Sequence, residues 1–219
     1  VPLTIDPDGE GPALAFGGFV NMPKVQTVGF EVESVWNPID DLTIRATYAW
    51  LQPEVTESGF YVNTLCTPPT QPAGPDQPAS CPAVGSTTAA QSVEGNVLPQ
   101  SPENKIAFNV AYMFNFEDGS TLMPSFSYYW RDQFTTSIFN DPVTFTPDFA
   151  QTDARLIWND SEGYFTVIGW VRNAFDEEGY DAATAFRRRS LDVTQNNQIY
   201  QGYTPTLPRM YGVELQVHF

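Results

Sequence analysis

From Tyr211 to the final residue every second side chain is apolar: Tyr211, Val213, Leu215, Val217 and Phe219 alternate with Gly212, Glu214, Gln216 and His218. A period of two puts the first set on one face of an extended strand and the second on the other. A helix, with its period near 3.6, scatters both. Six earlier segments carry the same pattern. In Lys24 to Trp36, Val28, Phe30, Val32 and Trp36 oppose Gly29, Glu31 and Glu33. A second strand, from Leu42 to about Glu57, sets Ile44, Ala46, Tyr48 and Trp50 against Thr43, Arg45 and Thr47. The third, Glu103 to Phe116, sets Ile106, Phe108, Val110, Tyr112, Phe114 and Phe116 against Ala107, Asn109, Ala111 and Asn115. In the fourth, Leu122, Phe126, Tyr128 and Trp130 oppose Ser125, Ser127, Tyr129 and Arg131. The fifth, Phe149 to Asn159, alternates Ala154, Leu156 and Trp158 with Asp153 and Arg155. The sixth alternates Phe165, Val167, Gly169 and Val171 with Thr166, Ile168 and Arg172.

The connections alternate too. Asn37–Asp41, Glu117–Ser120 and Asn159–Gly163 are short turns, whereas about Ser58–Pro102, Thr135–Asp148 and Ala174–Pro208 are long. Short turns at one end and long loops at the other mark a transmembrane antiparallel β-barrel, whose periplasmic turns are short. Strand length agrees, since crossing a bilayer takes roughly 9–11 tilted residues and soluble strands average about 5–6. Trp36, Trp50, Tyr112, Trp130, Trp158 and Tyr211 recur near the ends of the apolar faces, where an interfacial girdle would lie. The other faces carry Glu31, Glu33, Arg45, Arg131, Asp153, Arg155, Arg172 and Glu214, which suit a wet lumen. A secreted carbohydrate-binding β-sandwich also alternates, but places no such demand on alternate connections. Seven strands fall short of the roughly eight of the smallest barrels. Free edges in lipid are prohibitive, so the rest of the wall is expected from chain outside this sequence or from a partner.

Composition fits this reading. No run of about 18 apolar residues exists, so no spanning helix is encoded. Val1 begins no recognisable signal peptide, and a secreted β-protein needs one, so the true amino terminus is expected upstream. The formal charge is −16, with 26 acidic residues against 10 basic ones, which argues against nucleic acid as a partner. Cys66 and Cys81 are 15 apart in a Pro-, Gly- and Thr-rich segment. A metal site needs more ligands nearby, so a disulfide stapling a long loop is expected, contributing ~3 kcal/mol in an oxidising compartment.

Several segments resemble the late barrel of TonB-dependent outer-membrane receptors. They are Lys24-Val-Gln-Thr-Val-Gly-Phe-Glu-Val-Glu33, Trp36-Asn-Pro-Ile-Asp-Asp-Leu-Thr-Ile-Arg-Ala-Thr-Tyr-Ala-Trp50 and Leu98-Pro-Gln-Ser-Pro-Glu-Asn-Lys105. Val171-Arg-Asn-Ala-Phe-Asp176 and Pro208-Arg-Met-Tyr-Gly-Val-Glu-Leu-Gln-Val-His-Phe219 follow in the family's order. The resemblance implies the last seven strands of a barrel of about 22, with Val1 to Met22 in a loop and the edge of the next strand. It implies energised uptake of a scarce solute, such as an iron chelate, cobalamin or an oligosaccharide. It implies TonB as a partner through a plug region that these residues do not contain. Tyr211, Val213, Leu215, Val217 and Phe219 resemble the terminal signal read by the barrel-assembly machinery. Outer-membrane lipid, lipopolysaccharide and a surface lipoprotein complete the implied partners. The long loops are expected outside the cell and the carboxy terminus in the periplasm. A passive porin or an adhesin barrel is the alternative.

No catalytic constellation is readable: His218 is the only histidine and stands at the chain end, where a solvated lumen residue is expected. No enzyme activity, cofactor or metal is expected, and Asp6-Pro-Asp-Gly-Glu10 lacks a calcium-ligand register. Ligand contact is expected in the long loops, through Phe60, Tyr61, Tyr180, Phe186, Tyr200 and Tyr203, which stack on sugars or chelates or else pack loop on loop. Arg187, Arg188 and Arg189 either clamp an anionic ligand or lipopolysaccharide phosphate, or neutralise Asp176 to Asp181.

Overall fold

The computed structural model describes residues 2–5, 14–17, 24–57, 59–66, 77–87, 89–187 and 198–219. Strands β1 (Pro2–Ile5) and β2 (Leu14–Gly17) form a hairpin. Next come β3 (Val25–Trp36) and β4 (Leu42–Val55). The first long connection holds a small hairpin, β5 (Phe60–Val62) with β6 (Ala90–Ser92), before β7 (Asn104–Tyr112) and its short continuation β8 (Phe114–Asn115). After β9 (Thr121–Arg131), the second long connection contains β10 (Phe134–Thr135), a 3-10 turn at Pro142–Thr144 and β11 (Phe145–Thr146). Then follow β12 (Phe149–Asn159) and β13 (Phe165–Arg172). A third long connection pairs β14 (Tyr180–Arg187) with β15 (Ile199–Pro205), and β16 (Met210–Val217) ends the sheet.

The seven long strands form one antiparallel meander in the order β16-β13-β12-β9-β7-β4-β3. These are the segments marked by alternation. Two ends differ. The third segment breaks at Met113, whose N–H turns to the Asp41 carbonyl at 2.9 Å. The last strand stops at Val217 rather than Phe219, although the His218 N–H still reaches the Tyr164 carbonyl at 2.9 Å. Each short turn is pinned by an Asn or Asp side chain, the usual reason these residues favour turns. Asn37 donates to the Leu42 carbonyl and Thr43 hydroxyl, Asp118 accepts from Ser120, and Asp160 accepts the Phe165 N–H.

Residues directly opposite in an antiparallel pair point the same way, so the register assigns faces across the whole sheet. Phe30 pairs with Trp50 and Val32 with Tyr48; Tyr48 pairs with Ile106, Ile106 with Trp130, and Phe126 with Ala154. Ala154 pairs with Val171, and Val171 with Tyr211. This apolar face is bare: Val32 is 53% exposed and Val213 78% exposed. A sandwich would bury it beneath a second sheet. The buried apolar cluster lies instead at the long-loop end, where Val55, Val93 and Phe139 pack with Val25, Tyr61, Leu98 and Ile138. Near that end Trp50 and Tyr48, on the apolar face, bond through their polar tips to Glu103 (2.9 Å) and Asn104 (2.7 Å), as amphipathic rings do at a membrane interface.

Candidate functional site: the polar face and the long-loop end

The same register gathers the charges on the opposite face. One row runs Val35, Arg45, Asn109, Ser127, Asp153 across β3 to β12, and the next runs Ser125, Arg155, Trp170, Gly212 across β9 to β16. Glu31 and Glu33 on β3 pair with Ala49 and Thr47 of β4, the strand that carries Arg45; Arg172 follows Trp170 by two on β13, and Glu214 pairs with Ile168. A cavity of about 560 Å³ lies over this face, lined by Asn109, Ser125, Asp153, Arg155, Arg172 and Glu214 among others. Asp153 accepts from Gln151 (2.9 Å) and from the Asn173 N–H (2.9 Å), and Glu214 accepts from Gln216 (2.6 Å). Among the described residues no carboxylate stands within salt-bridge distance of Arg45, Arg155 or Arg172. The Arg172 guanidinium lies 6.0 Å from the Trp170 ring. That ring covers Gly212 so closely that a Cβ there would stand 2.7 Å away, which explains a glycine in this strand. At the short-turn end Asn159 donates to Thr121 (3.0 Å), Thr166 donates to Asn159 (2.8 Å), and Thr166 meets His218 at 3.3 Å. His218 thus extends a polar ladder.

Arg131 shares the polar face but is not wet; it is 6% exposed. It occupies the row nearest the loops, opposite Phe149 and Lys105. Its guanidinium lies 4.6 Å from the Phe134 ring centroid, and it donates to the carbonyls of Pro147 (3.2 Å) and Tyr180 (2.6 Å). A buried cation needs such partners. Arg131 therefore ties the second and third connections to the sheet.

The loop aromatics divide. Tyr61 packs against the buried cluster, so it is a loop-packing residue. Phe60 is exposed. On the third hairpin Tyr180 meets Tyr203 with centroids 4.4 Å apart, and Phe186 stacks on Tyr200 at 5.7 Å. Phe186 and Tyr200 form a cross-strand pair and stay exposed, whereas Ala183, one face over, is buried. Arg187 donates through Nε to the Leu65 carbonyl at 2.6 Å; Arg188 and Arg189 lie outside the described residues, as does the Asp6 to Glu10 run. Cys66 and Cys81 form a disulfide. Alternation gives no sign of two residues that organise this end, Asp141 and Asn173, both about 1% exposed.

No family model and no curated protein matches the sequence. Among solved structures, the chain is similar to the ferric yersiniabactin uptake receptor FyuA from Yersinia pestis, at 14% identity and a TM-score of 0.61, over 89% of this chain and 24% of that one. It is also similar to the siderophore receptor PiuA from Acinetobacter baumannii, at 15% identity and a TM-score of 0.55, over 87% of this chain and 21% of that one. The chain thus spans less than a quarter of either structure. At these identities the likeness carries the fold alone: an antiparallel sheet like a segment of those receptors' structures.

Proposed function

We propose that this chain is the carboxy-terminal part of the barrel of a TonB-dependent outer-membrane transporter. One observation carries the reading: a seven-stranded meander with a bare apolar face and a charged opposite face, alike in fold to two siderophore receptors. In a closed barrel the bare face meets lipid and the charged face lines the lumen. Glu31, Glu33, Arg45, Asp153, Arg155, Arg172 and Glu214 then bound the solute path. The long connections stand outside the cell and the carboxy terminus in the periplasm. Of the loop aromatics named above, Phe60, Phe186, Tyr200 and Tyr203 are exposed and first meet the solute, and a ferric chelate is the solute class that the two neighbours suggest. TonB engages through a region upstream, and the face of Tyr211, Val213, Leu215, Val217 and Phe219 guides barrel assembly.

The test is accumulation of radiolabelled ferric chelates by iron-starved cells carrying the full-length protein, with and without TonB. Uptake that requires both supports the reading. Entry that is unchanged without TonB points to a passive porin and sinks it.

A further inference from the structure

Two of the three long connections meet at one buried carboxylate, and the third bonds to the same segments. Asp141 precedes the 3-10 turn of the second connection and is 1% exposed. Its Oδ2 accepts from Asn63 Nδ2 at 2.6 Å, and its Oδ1 accepts from the Ser80 hydroxyl at 2.8 Å. Both donors belong to the first connection. Asn63 stands three residues before Cys66 and Ser80 immediately before Cys81, so the disulfide holds the two donors on either side of the carboxylate. The Asn63 Oδ1 accepts the Leu65 N–H at 3.0 Å, which fixes its amide.

Other bonds run between the same segments. Asn140 exchanges two hydrogen bonds with the Val97 backbone (2.8 and 3.0 Å), using its side chain as a strand would use its backbone. Asn96 donates to the Ile138 carbonyl at 2.7 Å. The third connection joins through the Thr136 hydroxyl to the Ala183 carbonyl, Gln201 to the Val143 carbonyl (2.7 Å), and Arg187 to the Leu65 carbonyl (2.6 Å).

We propose that Asp141 and the Cys66–Cys81 disulfide form a latch that makes the three long connections one body, released when either is lost. A buried carboxylate is stable only with its donors in place, and removing it strands those donors in turn. Without the crosslink the two donors are joined only through the intervening chain, and bringing both to Asp141 costs the closure entropy that the disulfide otherwise removes. The long-loop end therefore opens as a cooperative unit and not loop by loop. This holds whatever the barrel carries.

Hydrogen exchange on the intact protein in detergent tests it. In Asp141→Ala, exchange in residues 59–66, 89–98, 134–146 and 199–205 is expected to rise together by about tenfold or more, while β7 and β9 stay unchanged. Reducing the disulfide of the assembled wild-type protein with a phosphine is expected to release the same segments. The reduction arm stands even where the variant does not assemble. A rise confined to residues 140–144 in the variant, or no change in 134–146 after reduction, overturns the latch.

Discussion

The carboxylate of Asp176 accepts the backbone N–H of Arg209, thirty-three positions along the chain, at 2.8 Å. Three residues earlier, Asn173 takes a left-handed φ of 50°, which Asn tolerates better than most residues. Its side chain donates to the carbonyls of Glu177 (2.9 Å) and Leu207 (3.3 Å) and accepts the Glu177 N–H (2.9 Å). Together the two side chains bind the departure of β13 to the arrival of β16 and give the Val171-Arg-Asn-Ala-Phe-Asp176 segment its physical meaning. The third long connection is closed at its base.

Asn173→Ala should therefore destabilise more than Asp176→Ala. The first removes three hydrogen bonds made by a buried side chain and is expected to cost about 1–3 kcal/mol. The second loses one half-exposed acceptor and a long ion pair of 3.9 Å, worth under about 1 kcal/mol. Thermal unfolding of the full-length protein in detergent ranks them, and equal losses would contradict the base-clamp role.

Arg131 sets a different expectation. Its two terminal nitrogens reach separate carbonyls, Pro147 and Tyr180, while its plane lies over Phe134. A lysine ammonium is a single point of charge and cannot span both acceptors. Arg131→Lys should lose nearly as much as Arg131→Ala, with faster exchange at residues 145–149 and 179–182. Full rescue by lysine would reduce Arg131 to a charge.

At the opposite end, the Ser120 hydroxyl and then its N–H donate to the Asp118 carboxylate (2.7 and 2.9 Å), and both hold it below its ordinary value of 3.8. A lowered carboxylate stabilises the folded turn above the unfolded value, and that contribution fades as pH falls through the lower folded one. Ser120→Ala removes the larger of the two donors. The Asp118 carboxyl carbon, followed by NMR titration, should then titrate closer to 3.8; an unmoved curve would rule out the hydroxyl as the cause.

Seven strands and two faces were legible because period two is a local property, carried within each segment and independent of its partners. The break at Met113 and the early stop at Val217 were not, since the alternation itself runs on through Phe116 and Phe219. The hairpins inside the long connections are short or weakly alternating. β5 and β6 have three residues each, too few to show a period, and are held by a cluster that includes Phe139. Alternation puts Arg131 on the polar face and the register agrees. Its burial comes from Phe134 and Phe149, which close over it from other strands. The same reason hid Asp141, whose partners lie 78 and 61 residues away. Charge and residue type showed that these side chains were polar, while only the fold shows which of them are dry.

Val213 and Glu214 are neighbours on one strand and stand on opposite faces of the sheet. Val213 pairs with Gly169 on the bare face, and Glu214 with Ile168 on the charged one. A lysine at position 213 points into hydrocarbon if the sheet spans a bilayer, and costs about 2–4 kcal/mol near the midplane. A lysine at position 214 points into water and meets Arg155 and Arg172 around the same cavity, a repulsion screened by salt. Val213→Lys is therefore expected to lower the amount of assembled protein in outer membranes, and Glu214→Lys to leave it near wild type. A soluble sheet reverses neither sign but removes the contrast, because both positions then face water. Equal assembly of the two variants, measured by heat-modifiable migration of the full-length protein, would remove the bilayer from the account of this fold.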